Sequence, residues 1–145
     1  YASGAVMGYA DVGGLVGSNW EGTIASCHAT DSVTGTGAWD VGGLVGSNWE
    51  GTITSSYATG SVSGTKVDSF SIGGLVGYNS QGAITSCYAM GLVTGTGSVG
   101  GLVGSDSQGM LMSCYATGDV TGSGDYSSYL AALVGMSIGK INISG

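Results

Sequence analysis

The side chains that could carry out acid–base or nucleophilic chemistry are few and widely separated. The 145 residues include one histidine, His28, and three cysteines, Cys27, Cys87 and Cys114. A hydrolase brings a nucleophile, a base and an orienting group together at one place, and a zinc peptidase needs histidines at a fixed spacing. One histidine supplies neither, and His28 occupies a position that tyrosine fills in the other repeats described below. We therefore predict that the protein is not an enzyme and that it binds no cofactor.

The aspartates are the candidate calcium ligands, but their spacing is irregular. None lies in the Gly-Gly-x-Gly-x-Asp nonapeptide that builds calcium-binding β-rolls. We expect solvated carboxylates at the corners of the fold, and a weak Ca²⁺ site in one of these loops stays open as an alternative. The candidates are Asp11, Asp40, Asp68, Asp106, Asp119 and Asp125.

The three cysteines share one position of a repeat, which Ser56 and Gly145 occupy in the other two turns. A column of such small residues is expected to face inward. Cys87 and Cys114 fall on adjacent turns, close enough in Cα distance for a disulfide. Directly stacked parallel positions have poor side-chain geometry for such a bond, so the bonded and the free state both stay open.

The charge of the chain excludes two classes of partner. Nine acidic residues face only Lys66 and Lys140, and the net charge is −7. Without cations to neutralise phosphates, we exclude binding to nucleic acid and to anionic membranes. The longest apolar run, residues 129–136, is shorter than the roughly 18–20 residues of a spanning helix, so we also exclude membrane insertion. Because the first residue is Tyr1 rather than Met, we expect a chain that was processed or cut from something larger.

Three short motifs recur along the chain and determine the predicted architecture. They are Val-Gly-Gly-Leu-Val-Gly, Tyr-Ala-x-Gly-x-Val and Gly-Thr-Ile-x-Ser. Each is bounded by glycines and has no helical period, and glycine at this frequency would destabilise a helix. The repeats predict an all-β fold, a parallel β-solenoid with about three short strands per turn. A β-propeller or β-sandwich is the alternative, although the repeats are short for a four-stranded blade.

The tyrosine position divides the chain into five predicted turns of 27 to 31 residues, which form a single domain over residues 1–145. We expect strands of successive turns to stack about 4.8 Å apart, with the usual right-handed crossover, and equivalent Ala, Val and Leu side chains to form columns. Asn19, Asn48, Asn79 and Asp106 are predicted to make a tight corner with φ > 0. The turns are approximately 1–27, 28–56, 57–87, 88–114 and 115–145.

The combination of Gly-Gly-Leu-Val-Gly with Tyr-Ala-x-Gly-x-Val resembles the GLUG repeat. Five copies cover nearly the whole chain, although the last has Ala131 and Ala132 in place of the two glycines. GLUG repeats occur in bacterial surface proteins, including large adhesins and the non-catalytic part of some IgA-cleaving metallopeptidases. The resemblance implies a solenoid in an extracellular or cell-surface setting, bacterial in origin, and does not imply a reaction.

Two outward-facing patterns are candidate ligand surfaces. Trp20 and Trp49 lie in repeated Ser-Asn-Trp-Glu-Gly corners and should stack; with Tyr78 and Trp39 they would form an aromatic strip for a host glycan or protein, or else only stabilise the corner. The second pattern resembles the Thr-x-Thr arrays of ice-binding proteins, although its central residue is glycine rather than an inward apolar residue. Its threonines are Thr34, Thr36, Thr65, Thr94, Thr96 and Thr121.

The ends of the chain suggest self-assembly. Gly145 falls just before the tyrosine position and residue 1 is that tyrosine, so the tail is in phase with the head. We expect copies to stack head to tail, a heterologous contact that does not close and therefore propagates; the alternative is a longer array cut at turn boundaries. The candidate interface comprises Tyr1, Ala2, Val6, Leu133, Ile138, Ile141 and Ile143.

The sequence thus predicts an extracellular structural scaffold, either a filament subunit or the stalk of a surface adhesin. A binding module is the second hypothesis, through the threonine ladder or through the aromatic corner. The expected partners are other copies of the chain and a host surface protein or glycan.

Overall fold

A computed structural model of the protein describes residues 1–37, 39–65, 71–122, 129–138 and 142–144. These residues contain 24 short strands and no helix. The strands form five parallel sheets, and within each sheet neighbouring strands come from successive turns of the chain. The predicted all-β parallel solenoid is therefore confirmed.

The sheets are numbered in the order in which the chain first enters their named strands. Sheet 1 contains β1 (Val6–Gly8), β6 (Val33–Gly35), β11 (Val62–Gly64), β16 (Val93–Gly95) and β21 (Val120–Gly122). Sheet 2 contains β2 (Val12–Gly13), β7 (Asp40–Gly42), β12 (Ser71–Gly73), β17 (Ser98–Gly100) and β22 (Tyr129–Ala131). Sheet 3 contains β3 (Val16–Trp20), β8 (Val45–Trp49), β13 (Val76–Ser80), β18 (Val103–Ser107) and β23 (Val134–Ile138). Sheet 4 contains β4 (Thr23–Ala25), β9 (Thr52–Thr54), β14 (Ala83–Thr85), β19 (Met110–Met112) and β24 (Asn142–Ser144). Sheet 5 contains β5 (His28–Ala29), β10 (Tyr57–Ala58), β15 (Tyr88–Ala89) and β20 (Tyr115–Ala116), and a bridge joins Ala2 to Ala29 at its edge.

Each complete turn contains five strands, so the prediction of about three was wrong. The Val-Gly-Gly-Leu-Val-Gly motif forms two strands, because β2 ends at Gly13 and β3 begins at Val16. A Cβ on Gly13 would overlap the carbonyl oxygen of Val16, and a Cβ on Gly14 would overlap that of Gly43 in the next turn. Glycine is needed here because it permits both the bend and the close approach of successive turns. The Tyr-Ala-x-Gly-x-Val motif likewise contributes a strand to sheet 5 and another to sheet 1.

The solenoid has about four turns, where the sequence predicted five. Four sheets contain five strands and the fifth contains four, so four turn-to-turn steps separate β1 from β21. The predicted fifth turn also included residues 123–128, 139–141 and 145, which lie outside the described residues.

Equivalent side chains form the predicted columns. Val6, Val33 and Val62 are partners in register, as are Ala29 and Ala58. The columns fill two apolar clusters. The smaller one contains mainly valines of sheets 1 and 2, and the larger one is built around the leucines, isoleucines and alanines of sheets 3, 4 and 5. Leu44, Leu75 and Leu102 are completely buried in the larger cluster, so burial of the same apolar position in each turn holds the sheets together.

The predicted left-handed corner at the asparagines was wrong. The left-handed residues are Glu21, Glu50, Gln81 and Gln108, two positions after each Asn or Asp106, and Ser26, Ser55, Ser86 and Ser113, with φ between 48° and 59°. Asn48 and Asn79 are instead fully buried inside the solenoid. The corners therefore use non-glycine residues in an uncommon backbone conformation, which their residue types did not indicate.

The buried asparagines form a hydrogen-bonded ladder along the solenoid. The side-chain amide of Asn19 donates to Asn48 Oδ1 at 2.8 Å, and that of Asn48 donates to Asn79 Oδ1 at 2.8 Å. Asn79 donates to Asp106 Oδ1 at 2.7 Å, and the backbone N–H of Gly109 donates to the other carboxylate oxygen at 3.0 Å. Each amide also donates to the carbonyl three residues ahead in its own turn. These bonds satisfy polar groups that would otherwise be costly to bury.

We expect an Asn79→Ala substitution to lower the free energy of unfolding by about 2–4 kcal/mol, because it removes an acceptor from Asn48 and a donor from the buried Asp106. Urea unfolding followed by tryptophan fluorescence measures the change. The matched control is Thr54→Ala on the outward side of sheet 4, which should change stability by no more than about 0.5 kcal/mol. Equal losses in the two variants would show that the ladder has no special role in stability.

Candidate functional site

The outer surface carries a column of stacked rings along sheet 5. The ring of His28 stacks on Tyr1 at a centroid distance of 5.1 Å and on Tyr57 at 4.9 Å. The column continues from Tyr57 to Tyr88 at 4.8 Å and on to Tyr115 at 5.2 Å. Strand alternation places the rings outside because the alanine that follows each ring faces the core. His28 thus takes the place of a tyrosine, as predicted.

A second aromatic column lies where sheet 3 ends. Trp20 and Trp49 are register partners, and their rings stack at 5.2 Å with an interplanar angle of 8°. Tyr78 meets Trp49 edge to face at 5.2 Å, so the structure brings together all three residues of the predicted ligand surface. Trp20 is 68% exposed, and the exposed Glu21 follows it directly. Trp39 precedes β7 in a different sheet. The Trp20 corner therefore presents an aromatic ring beside a carboxylate, a combination suited to sugars or cationic groups.

The predicted threonine ladder is only partly available to a ligand. Thr34, Thr94 and Thr121 lie in one column of sheet 1, and Ser63 completes it between the first two. The second column differs, because the hydroxyls of Thr36 and Thr65 both donate to backbone carbonyls of the preceding turn at 3.1 Å. Thr96 occupies the same repeat position as Thr36 and Thr65 and is the third threonine of this second column. In the first column the hydroxyls of Thr34 and Ser63 also lie within hydrogen-bonding distance of each other, at 3.3 Å, so hydroxyls of both columns form hydrogen bonds within the solenoid.

Sheet 4 carries a threonine face that the sequence analysis missed. Ile24, Ile53, Ile84 and Leu111 point into the core, and the residues on either side of each point outward. The Thr-Ile-x-Ser motif was the available signal, since alternation around a buried isoleucine places its threonine outside. The outward residues are Thr23, Ala25, Thr52, Thr54, Ala83, Thr85, Met110 and Met112.

The candidate assembly residues lie at the two end edges of the sheets, except where their placement is undescribed. Tyr1 is 80% exposed, and Ala2 and Val6 are half-buried at the first edge. Leu133 is half-buried near the last edge, where Ile138 is 58% exposed. Ile141 lies outside the described residues, and for Ile143 only the backbone pairing with Leu111 is described.

Two carboxylates sit on adjacent turns beside the start of sheet 2. Asp11 directly precedes Val12 and Asp40 directly precedes Val41, and the two valines are register partners. The pKa of Asp40 is raised to about 7, mainly by burial; a hydrogen bond to Ser71 opposes the shift, and the charge of Asp11 adds to it. Asp11 itself accepts a hydrogen bond of 2.9 Å from the hydroxyl of Ser47.

The remaining candidate ligands are dispersed. Asp106 caps the asparagine ladder, Asp119 is exposed, and Asp68 and Asp125 lie outside the described residues. Within the described ranges, no three His, Cys, Asp or Glu side chains come together in a way that could hold a metal ion. The three cysteines are free thiols, and Cys87 is completely buried as predicted for its column. No helix in the described part of the chain has the length and apolar character needed to cross a membrane.

Comparison with known families identifies the repeat. The family model described as the GLUG motif matches residues 8–34, 37–63, 68–94 and 95–121, which together make up most of the chain. The chain belongs to the GLUG-motif family. Its GLUG matches follow one another along the solenoid, and each ends in a strand of sheet 1. No curated protein and no solved structure matches the chain.

We predict that the stability of this GLUG protein falls as the pH rises from about 4 to about 7. The pKa of Asp40 is about 7 in the folded state against 3.8 for an unperturbed aspartate, so in this range the folded state keeps a proton that the unfolded state has released. The loss should reach at most about 4 kcal/mol and level off above pH 7.

The variant Asp40→Asn should lose this slope and should be more stable than the wild type at pH 8. Urea midpoints between pH 4 and pH 8 provide the measurement, and Asp119→Asn, which changes an exposed carboxylate, is the control that should keep the slope. Parallel curves for the wild type and Asp40→Asn would contradict the assignment.

Proposed function

We propose that this protein is a structural scaffold at the bacterial cell surface, a segment of an adhesin-like stalk. Two findings support a structural role: the chain belongs to the GLUG family, and its parallel solenoid is a rod built from equivalent turns. In a repeat solenoid each turn contacts only its neighbouring turns, so each added repeat lengthens the rod by a fixed amount. This suits a solenoid to extending a surface protein. We propose no catalysis and no cofactor.

Ala131 and Ala132 replace the glycine pair in the last turn, and they are the residues that favour a stalk over a filament. A Cβ on Gly14, Gly43 or Gly74 would overlap the backbone carbonyl of the corresponding residue in the next turn. Ala132 occupies this position in the last turn, and Gly101 before it would collide with the Ala132 carbonyl in the same way. The Cβ of Ala132 therefore fills the place that the carbonyl of a following turn would need. This geometry opposes the in-register head-to-tail stacking expected from the sequence.

The opposite edge has no such obstacle. Gly13 and Gly14 keep the glycine pair in the first turn, and the rings of Tyr1 and Trp20 are exposed at the ends of their columns. A preceding turn of the same type could add to the strands of this edge with the register that all turns share. The two edges of the rod therefore differ: the first keeps the glycine pair, and the last carries the Cβ of Ala132.

Electron microscopy and light scattering of the 145-residue chain test the proposal. We expect short, discrete particles, because Ala132 blocks continued stacking. The double variant Ala131→Gly/Ala132→Gly restores the glycine corner and should form longer particles, with an axial repeat of about 24 Å from five strand spacings.

The control for this experiment is Ala25→Gly, which adds the same backbone freedom on an exposed strand away from the last edge. It should remain as short as the wild type. Long fibres from the wild-type chain, with the repeat of about 24 Å, would contradict the stalk and make the protein a filament subunit.

A second candidate function is ice binding, which the outward face of sheet 4 favours. Thr52 and Thr54 flank the buried Ile53, so this strand has the inward apolar residue that the ladder of sheet 1 lacks. Thr23 and Thr52 are neighbours in one outward column, and Thr54 and Thr85 are neighbours in the other, with strands about 4.8 Å apart. Glycan or protein binding through Trp20, Trp49 and Tyr78 stays a prediction.

Thermal hysteresis measures ice binding directly. If sheet 4 binds ice, millimolar protein should depress the freezing point below the melting point, and Thr52→Lys should abolish the gap by placing a hydrated charge in the centre of the face. Thr94→Lys makes the same change on sheet 1 and should leave the gap unchanged. Absence of any gap in the wild type would end this candidate.

A further inference from the structure

Cys87 and Cys114 occupy the same place in adjacent turns, directly before sheet 5. The residue preceding each, Ser86 or Ser113, is left-handed with φ of 54° or 52°, and the chain turns there. Cys87 is completely buried in the larger core cluster, and Cys114 packs against that cluster while part of it remains exposed. One thiol of the pair is therefore protected by the core and the other is accessible from outside.

Backbone pairing holds the two cysteines at the spacing of neighbouring strands. The N–H of Tyr115 donates to the carbonyl of Cys87 at 3.2 Å, and Tyr88 pairs in register with Tyr115. Parallel strands lie about 4.8 Å apart, which is within the Cα separation of about 4.4–6.8 Å that disulfides span. The Cys114 sulfur lies 3.4 Å from the carbonyl oxygen of Ile84, in the turn that contains Cys87, and the Cys87 sulfur lies 3.6 Å from that of Ile53, in the turn before, so a disulfide requires the Cys87 side chain to rotate toward Cys114.

The two thiols also interact with each other. A hydrogen bond with the Cys87 thiol lowers the pKa of Cys114 to about 7, and the same bond together with burial raises the pKa of Cys87. Thiolates are the nucleophilic form of cysteine, so the lowered pKa and the partial exposure of Cys114 make it the more reactive member of the pair.

We propose that Cys114 and Cys87 form a redox site, in which a hydroperoxide oxidises Cys114 and Cys87 converts the product into a disulfide between adjacent turns. The Cys114 thiolate attacks one peroxide oxygen, the O–O bond breaks, and proton uptake yields sulfenic acid and water. The Cys87 sulfur then attacks the sulfenic sulfur, the S–O bond breaks, and the hydroxide leaves as water with the Cys87 proton. Two electrons pass from the thiol pair to one hydrogen peroxide, which becomes two waters.

Cys27 provides an internal control, because its neighbour in the next turn is Ser56. The Cys27 backbone N–H donates to the Ser56 hydroxyl at 3.1 Å, and that hydroxyl donates to the carbonyl of Thr54 at 2.8 Å. A sulfenic acid formed at Cys27 has no thiol on the adjacent turn to resolve it. The site therefore consists of two of the three cysteines.

Hydrogen peroxide treatment of the folded 145-residue chain tests the proposal. Free thiols should fall from three to one per chain, and peptide mapping without reductant after pepsin digestion should join the Cys87 and Cys114 peptides. Dimedone, which traps sulfenic acid, should label Cys114 in a Cys87→Ser variant at least tenfold more than in the wild type. Serine is tolerated at this position because Ser56 fills it in another turn.

The Cys27→Ser variant should form the same disulfide as the wild type, and Cys114→Ser should form none within one chain. The proposal is overturned if the wild-type chain keeps three thiols, if its linked peptides contain Cys27, or if dimedone labels Cys27 as strongly as Cys114 in Cys87→Ser. The wild-type peptide map decides the question even if a variant fails to fold.

Discussion

Parallel backbone pairing between successive turns, with equivalent residues in register, is the constraint on which the rest of the structure depends. Every described strand pair is parallel, and the same repeat positions face each other from the first turn to the last. Because strands of this kind lie only about 4.8 Å apart, each side chain meets its own equivalent above and below. The fold can therefore use only residues that pack well against copies of themselves, or that end a column.

This constraint explains which polar groups the interior accepts. An asparagine amide both donates and accepts, so Asn19, Asn48 and Asn79 form a ladder without unsatisfied atoms. Asp106 accepts from Asn79 and from a backbone N–H and passes no proton on, so it ends that ladder. Carboxylates on adjacent turns repel each other. Burial is the main cause of the raised pKa of Asp40, and the charge of the neighbouring Asp11 adds to it.

The same constraint determines how much could be predicted from the sequence. Columns follow from spacing alone, so the valine and alanine columns, the stacked Trp20 and Trp49, and the substitution of His28 for tyrosine were all predictable. The bends within a turn were not, because glycine-bounded runs of apolar residues do not show where a strand stops. Left-handed Glu, Gln and Ser residues gave no signal either, since these residue types rarely adopt that conformation.

The outward face of sheet 4 was missed for a related reason. Its threonines alternate with the isoleucine of the Thr-Ile-x-Ser motif, which was a signal for an outward face, and the burial of Ile53 and its equivalents establishes that direction. The Thr36 and Thr65 hydroxyls were predicted to face a ligand, but each donates a hydrogen bond to a backbone carbonyl of the preceding turn.

Departures from the repeat are therefore the most informative positions in this protein. Because the core favours the same residue type in every turn, a residue that breaks the pattern is either tolerated at an end of the solenoid or serves a purpose other than stabilising the fold. Trp20 and Trp49 give way to Ser80 and Ser107 in later turns, two adjacent turns carry the Cys87 and Cys114 thiols, and alanine replaces the glycine pair only in the last turn. Each departure lies at a different place along the rod. An aromatic corner near the first edge, a thiol pair farther along and an alanine pair in the last turn give different parts of the solenoid different chemistry.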